Sequence, residues 1–170
     1  MEAPLLLCVK LALSPKFQPF AHVLQFVNDL LLPATIDGAI YNDLHRLTKD
    51  YDAYLPYTVG AMDGAAARGR LGILQTLQVT RSEGCSSAAF IGAAANAHLD
   101  VLWWLSEFYS RLARPAEMVE AAAANGHVRV VELLFRRLNN DELESAMKVA
   151  SNNGHKVLVE LLSDRMDATS

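Results

Sequence analysis

Apolar and polar positions along this chain follow a helical period, and the same pattern returns at nearly fixed intervals. An alanine-rich block ends in a polar turn and is followed by an apolar stripe. In 128–135 the residues near one face of the predicted helix are Val130, Val131, Leu133 and Leu134. This spacing predicts two short helices per unit, joined as an αα-hairpin.

The turns mark the repeat most clearly. Aligned on Gly69, Ala97, Gly126 and Gly154, the units follow one another at steps of 28, 29 and 28 residues. A fixed period in this range is typical of a solenoid, in which each unit covers apolar surface that its neighbour cannot bury alone. The sequence therefore predicts an all-α fold, with about four stacked helix-turn-helix units over residues 60–170.

Residues 1–59 follow the period less closely. Two segments, 20–32 and 36–47, have patterns that fit amphipathic helices, and Leu44 lies 27 residues before Leu71, close to the register of the later units. Terminal units of a solenoid are atypical. We therefore predict an N-terminal helical cap plus one degenerate repeat. An independent small domain is the alternative, although no linker precedes the first clear unit.

Composition narrows the class of partner. The chain has 170 residues, about half of them apolar, which suffices for one domain or one continuous stack. Its formal net charge is −4, and no stripe of Lys and Arg stands out along the chain. Binding to nucleic acid needs a surplus of positive charge on one face. The composition therefore argues against a nucleic-acid partner.

The N-terminus and the cysteines indicate location. A signal peptide needs a positive start and an unbroken apolar run, whereas this N-terminus carries Glu2, Pro4 and Lys10. No run reaches the ~18 apolar residues of a membrane span. Cys8 and Cys85 are too few for a disulfide framework and match no zinc spacing, which favours free thiols in a reducing compartment. We predict a cytoplasmic protein without a membrane partner, with a nuclear location left open.

Three histidines recur in register, but the spacing does not favour a metal site. His98, His127 and His155 each open the second helix of a unit. Packed helices lie ~8–10 Å apart, whereas one metal ion needs all its nitrogen ligands at ~2 Å. We predict a structural histidine that bonds to the adjacent turn. No nucleophile stands beside a base and no phosphate-binding loop is present, so the sequence predicts neither an enzyme nor a cofactor.

Trp103 is the residue that departs most from the repeat. It takes a place that the other units fill with polar residues, namely Gln75, Glu132 and Glu160. An exposed tryptophan is typical of a binding hot spot. The alternative is that Trp103 packs under Phe108 and Tyr109 of its own unit, because an aromatic cluster can also bury itself.

The segment 125–134, Asn-Gly-His-Val-Arg-Val-Val-Glu-Leu-Leu, resembles the second half of an ankyrin repeat, and 98–105 fits the same frame. Residues 81–88, followed by an alanine-rich helix, are similar to the short ankyrin-type repeats of oomycete proteins. The period falls about four or five residues short of the usual 33. The resemblance therefore implies an ankyrin-type α-solenoid that lacks the long β-hairpin fingers.

The resemblance also points to a second candidate surface. In ankyrin proteins the residues just before the turn glycine tend to border the binding groove, and those positions here hold Arg68, Asn96, Asn125 and Asn153. The alternative for the asparagines is a capping role only, since asparagine is a good turn residue. Arg68 has no such turn role, nor has Lys148 in the first helix of the last unit. Arg68 and Lys148 are expected to give the groove a local positive charge.

These observations predict a non-catalytic protein–protein interaction module, a scaffold or adaptor that displays side chains from several units on a rigid stack. The last unit has a polar outer face, which favours a monomer. Two alternatives stay open. One is a structural protein that self-associates, through an uncapped end of the stack or the aromatic residues at 103, 108 and 109. The other, which the oomycete likeness implies, is a secreted effector that acts on a host protein.

Overall fold

A computed structural model describes residues 34–42, 44, 53 and 55–167, with side chains as far as 166. The predictions made for the N-terminal apolar segment, for Cys8, for 20–32 and for residues 43 and 45–47 of the segment 36–47 lie outside the described residues. Within the described part, all regular structure is helical and no strand is present. The prediction of an all-α fold is confirmed.

Nine α-helices occur in the described residues, with two short 3₁₀ turns between them. The helices are α1 (Asp37–Tyr41), α2 (Val59–Ala67), α3 (Leu71–Thr80), α4 (Ser87–Ala95), α5 (Leu99–Phe108), α6 (Pro115–Ala124), α7 (Val128–Leu134), α8 (Asn140–Asn152) and α9 (Lys156–Asp167). The 3₁₀ turns follow α5 and α7, at Ser110–Leu112 and Phe135–Arg137.

The helices pack in chain order as four hairpins. In each hairpin a first helix contacts the second helix that follows it: α2 with α3, α4 with α5, α6 with α7 and α8 with α9. The four first helices also contact one another in a row, α2 to α4 to α6 to α8, and α1 contacts α2. This arrangement is compatible with an α-solenoid.

The turn inside each hairpin explains the repeated glycine. Gly69, Gly126 and Gly154 have φ angles of 67°, 72° and 78°, in the left-handed region that only glycine adopts without strain. Ala97 holds the same conformation with φ 56°, although it carries a Cβ. Each turn therefore ends a first helix and starts a second one in the same way.

The first helices pack closely because small side chains line their contacts. Ala65, Ala93, Ala122 and Ala150 occupy equivalent positions and are fully buried. At Gly92 an added Cβ would lie 2.8 Å from the Cβ of Ala67 and 3.2 Å from its Cα. Helix α4 therefore approaches α2 more closely than an alanine would allow. The largest fully buried side chain in the described residues is Phe90, in α4.

Two carboxylates join the starts of first helices, those of α2 and α4, to the helices α1 and α2, respectively. The backbone N–H and the hydroxyl of Ser86 donate to the two oxygens of Asp63, at 2.8 and 2.6 Å. Thr58 makes the same pair of bonds to Asp37, with its N–H at 2.9 Å. Because Thr58 and Ser86 also cap α2 and α4, these bonds fix where each helix begins. The bonds between Asp37 and Thr58 are consistent with a degenerate repeat before α2. The boundary between the N-terminal part and the regular repeats, at residues 59 and 60, stays a prediction.

Histidines hold two of the hairpins to the hairpin that precedes each of them. The Nε2 of His127 donates to the carbonyl oxygen of Ala95, and that of His155 donates to Ala124, both at 2.9 Å. At Gly126 an added Cβ would lie 2.6 Å from the Nδ1 of His155, so the missing side chain makes room for the ring. The predicted structural role is confirmed for these two histidines.

Candidate protein-binding surfaces

Trp103 lies on the solvent side of α5. Its side chain is 66 % exposed, while the buried side of the helix is formed by Val101, Leu102, Trp104 and Leu105. The ring centroid of Trp104 lies 5.1 Å from that of Phe108 and 5.9 Å from that of Tyr109. Trp104, and not Trp103, therefore packs against these two aromatic rings, and the buried alternative for Trp103 does not hold.

Trp103 is one of several large apolar side chains that the second helices expose to solvent. We call the solvent-exposed side of α3, α5, α7 and α9 the outer face. Its large exposed apolar side chains, at least one from each second helix, are Val79, Trp103, Phe108, Leu133 and Val157. Trp103 is the largest of them, and the exposed carboxylates Asp100 and Glu107 flank it at one helical turn on either side.

The asparagines before the turns act as helix caps. The Nδ2 atoms of Asn96, Asn125 and Asn153 each donate to the carbonyl four residues earlier, at 2.9, 3.0 and 2.9 Å. All three side chains are exposed. The structure thus provides the capping role that was one of the two alternatives. A further binding role for their exposed side chains stays a prediction.

Arg68 and Lys148 are both exposed but lie far apart in the stack. The Nη1 of Arg68 donates to the carbonyl of Gly64 at 3.3 Å, and its guanidinium lies 4.1 Å from the centroid of the Tyr41 ring. Arg68 ends α2, whereas Lys148 is in α8, which is separated from α2 by three packing steps of ~8–10 Å each. Arg68 and Lys148 therefore lie at separate places along the stack, and the local positive charge expected of the groove stays a prediction.

Cys85 is a buried free thiol, which confirms the prediction for this cysteine. Burial raises the pKa of Cys85 to about 12, and the negative charge of Asp63 adds to this shift. The pKa of Tyr109 is also raised, mainly because the side chain is partly buried and in addition because of electrostatic repulsion from Cys85. The Cys85 thiol therefore stays protonated at neutral pH, where it is a poor nucleophile.

Sequence reasoning missed a group of arginines between the hairpins. Arg111 and Arg114 lie in the loop 109–114 after α5, and Arg136 and Arg137 lie in the loop 135–139 after α7; all four are exposed. This local positive charge is not evident from the net charge of the whole chain, which is −4. Counting charge separately in each predicted loop would have revealed it, because neither loop contains an acidic residue.

Within the described residues, no three His, Cys, Asp or Glu side chains come together as ligands of one metal ion. No helix in that part of the chain has the length and apolar character needed to cross a membrane. Comparisons of the chain with protein-family models, with curated proteins and with solved structures find no match.

Proposed function

We propose that the chain is a non-catalytic protein-binding module, a scaffold or adaptor, whose partner docks on the outer face around Trp103. The observation that carries the proposal is the 66 % exposure of this tryptophan on a helix whose other side is fully packed. Burying a large apolar side chain contributes about 1.5–3 kcal/mol. A partner that covers Trp103 gains this free energy without disturbing the core.

We also propose that the four hairpins are ankyrin-type repeats without long β-hairpin fingers. The period of 28 or 29 residues, the left-handed turn residue and the histidine that bonds to the preceding turn all support this reading. A stack of this kind holds exposed side chains in fixed relative positions. Binding then loses little conformational entropy, which favours affinity.

The charges beside Trp103 favour a particular kind of partner surface. Asp100 and Glu107 flank the indole, and both carboxylates are exposed. Complementary charge across an interface speeds association and fixes the register of the partners. The partner surface is therefore expected to present an apolar pocket with basic residues at its rim.

Replacing Trp103 with alanine is expected to abolish capture of the partner. Hot-spot truncations cost at least about 2 kcal/mol, which corresponds to roughly 30-fold weaker binding. The measurement is affinity capture from cell lysate with the immobilised protein, followed by quantitative mass spectrometry. Val79→Ala is the matched control, because it also removes an exposed apolar side chain from a second helix.

The two variants separate the proposal from its alternatives. Circular dichroism must first show that both variants keep the helical content and melting temperature of the wild-type protein. Recovery of the same proteins by the Trp103→Ala variant would contradict the proposal. A wild-type dimer in analytical ultracentrifugation that Trp103→Ala converts to a monomer would instead establish self-association through this face.

A further inference from the structure

Four exposed arginines lie in two consecutive loops between hairpins. We call Arg111, Arg114, Arg136 and Arg137 the arginine edge. None of their side chains has a hydrogen bond, an ion pair or a ring contact with another described residue. By contrast, the guanidinium of Arg165 lies 5.7 Å from the centroid of the Phe135 ring. The binding capacity of these four guanidinium groups is therefore unused within the described part of the chain.

The packing of the first helices brings the two loops together. Helix α6 begins directly after the first loop, α8 begins after the second, and α6 contacts α8. The bonds from His127 to Ala95 and from His155 to Ala124 show that successive hairpins stack in the same register. The first helices therefore run in parallel, and the starts of α6 and α8 lie side by side at ~8–10 Å.

The backbone of both loops is held by the core. Leu112 and Ala113 of the first loop, and Phe135 and Leu138 of the second, pack against the buried cluster. Two arginines per loop stand between or beside these anchored residues. The charged groups are therefore displayed from fixed positions, which reduces the entropy lost when a ligand binds.

Nearby carboxylates limit the size of the ligand. Glu107, Glu117 and Asp141 are exposed at the borders of the edge, and the Glu142 carboxylate accepts the backbone N–H of Asn139. Electrostatic interactions are screened over ~8–10 Å at physiological salt. A long polyanion would extend from the arginines onto these acidic borders. A short acidic segment would contact the arginines alone.

Arginine also specifies the chemistry of the ligand. Between residues 99 and 139 the chain has five arginines and no lysine. The planar guanidinium of arginine donates two parallel hydrogen bonds to one carboxylate, which a lysine does not do. We propose that the arginine edge binds a short acidic peptide segment of a partner protein through its Glu and Asp carboxylates.

This proposal goes beyond binding at the outer face. It concerns different residues, and its test requires neither Trp103 nor the partner of the outer face. The probe is a fluorescein-labelled oligoglutamate peptide, titrated with the wild-type protein at low salt and followed by fluorescence anisotropy. We expect saturable binding that weakens as salt is raised.

Charge reversal locates the binding surface. The Arg111→Glu/Arg137→Glu variant is expected to bind the peptide at least ~10-fold more weakly than the wild-type protein. The control, Arg129→Glu/Lys156→Glu, carries the same change in net charge on two exposed residues outside the loops. It is expected to stay within about twofold of the wild-type affinity. Circular dichroism checks that both variants are folded.

Three results would overturn the proposal. The first is a wild-type protein that shows no saturable binding of the peptide at low salt. The second is an equal loss of affinity in the two charge-reversed variants, since net charge alone would then explain the binding. The third is tighter binding of a single-stranded oligonucleotide or of phosphatidylserine vesicles than of the peptide, because the ligand would then belong to another class.

Discussion

Replacing Phe90 with alanine is expected to lower the free energy of unfolding by about 3–5 kcal/mol. Phe90 is fully buried in α4, and α4 contacts both α2 and α6 in the row of first helices. The substitution removes apolar contacts and leaves a cavity that these close-packed helices cannot fill. Domains are stable by only about 5–15 kcal/mol, so the loss is a large part of the total. Urea unfolding followed by circular dichroism measures it.

Val79→Ala provides the control for this prediction. Val79 is 85 % exposed, so its truncation is expected to change the free energy of unfolding by no more than about 0.5 kcal/mol. The slope of free energy against urea must be similar in all three proteins for the comparison to hold. A loss below about 1 kcal/mol for Phe90→Ala would show that α4 is not at the centre of the packing.

Gly126→Ala is expected to destabilise the protein more than Gly154→Ala does. Both glycines have a positive φ, so alanine costs about 1 kcal/mol at either position. At Gly126 the new Cβ would also lie 2.6 Å from the Nδ1 of His155, whereas at Gly154 it meets nothing within 4 Å. At the equivalent turn Ala97 carries a Cβ and His127 keeps its 2.9 Å bond to Ala95, so the His155 ring is expected to shift without losing its bond, which adds about 1 kcal/mol. Thermal unfolding of the two variants measures the difference.

Ala97 supplies an internal check on this account. It holds the left-handed conformation with φ 56°, so Ala97→Gly removes backbone strain and is expected to raise the melting temperature slightly. Equal losses of stability for the two glycine variants would contradict the contact between His155 and the preceding turn. A lower melting temperature for Ala97→Gly would contradict the strain at this position.

Much of the fold follows from local patterns in the sequence. The period of the turns placed the ends of the first helices, because a left-handed cap requires glycine or a close substitute. Helical spacing also predicted that Trp104 lies on the apolar side of its helix and Trp103 on the polar side. The bonds of Asp63 to Ser86 and of Asp37 to Thr58 were not predictable. They join residues 23 and 21 positions apart, and the carboxylate recurs in only part of the repeat. The position equivalent to Asp63 is Ile91 in the next hairpin and Glu120 in the one after, where the hydroxyl of Ser145 donates to it at 2.5 Å.

The candidate sites were only partly predictable. The position of Trp103 on the solvent side followed from the repeat, but whether another aromatic residue covered it depended on tertiary packing. The distance between Arg68 and Lys148 was not predictable, because the sequence does not show how far apart two helices of a stack lie. The arginine edge was not predicted because Arg111 and Arg137 are 26 positions apart in the sequence, and their two loops are related only through the contact of α6 with α8.

Photo-crosslinking beside Trp103 can show whether a partner protein docks on the outer face. A photoreactive amino acid replaces Glu107, one helical turn from Trp103, or Asp164, the equivalent position of α9, and each protein is irradiated in cell lysate. We expect a crosslinked partner protein from position 107 that position 164 does not yield and that Trp103→Ala abolishes. Crosslinks that persist unchanged in the Trp103→Ala background, or that arise equally from both positions, would contradict binding at the outer face around Trp103.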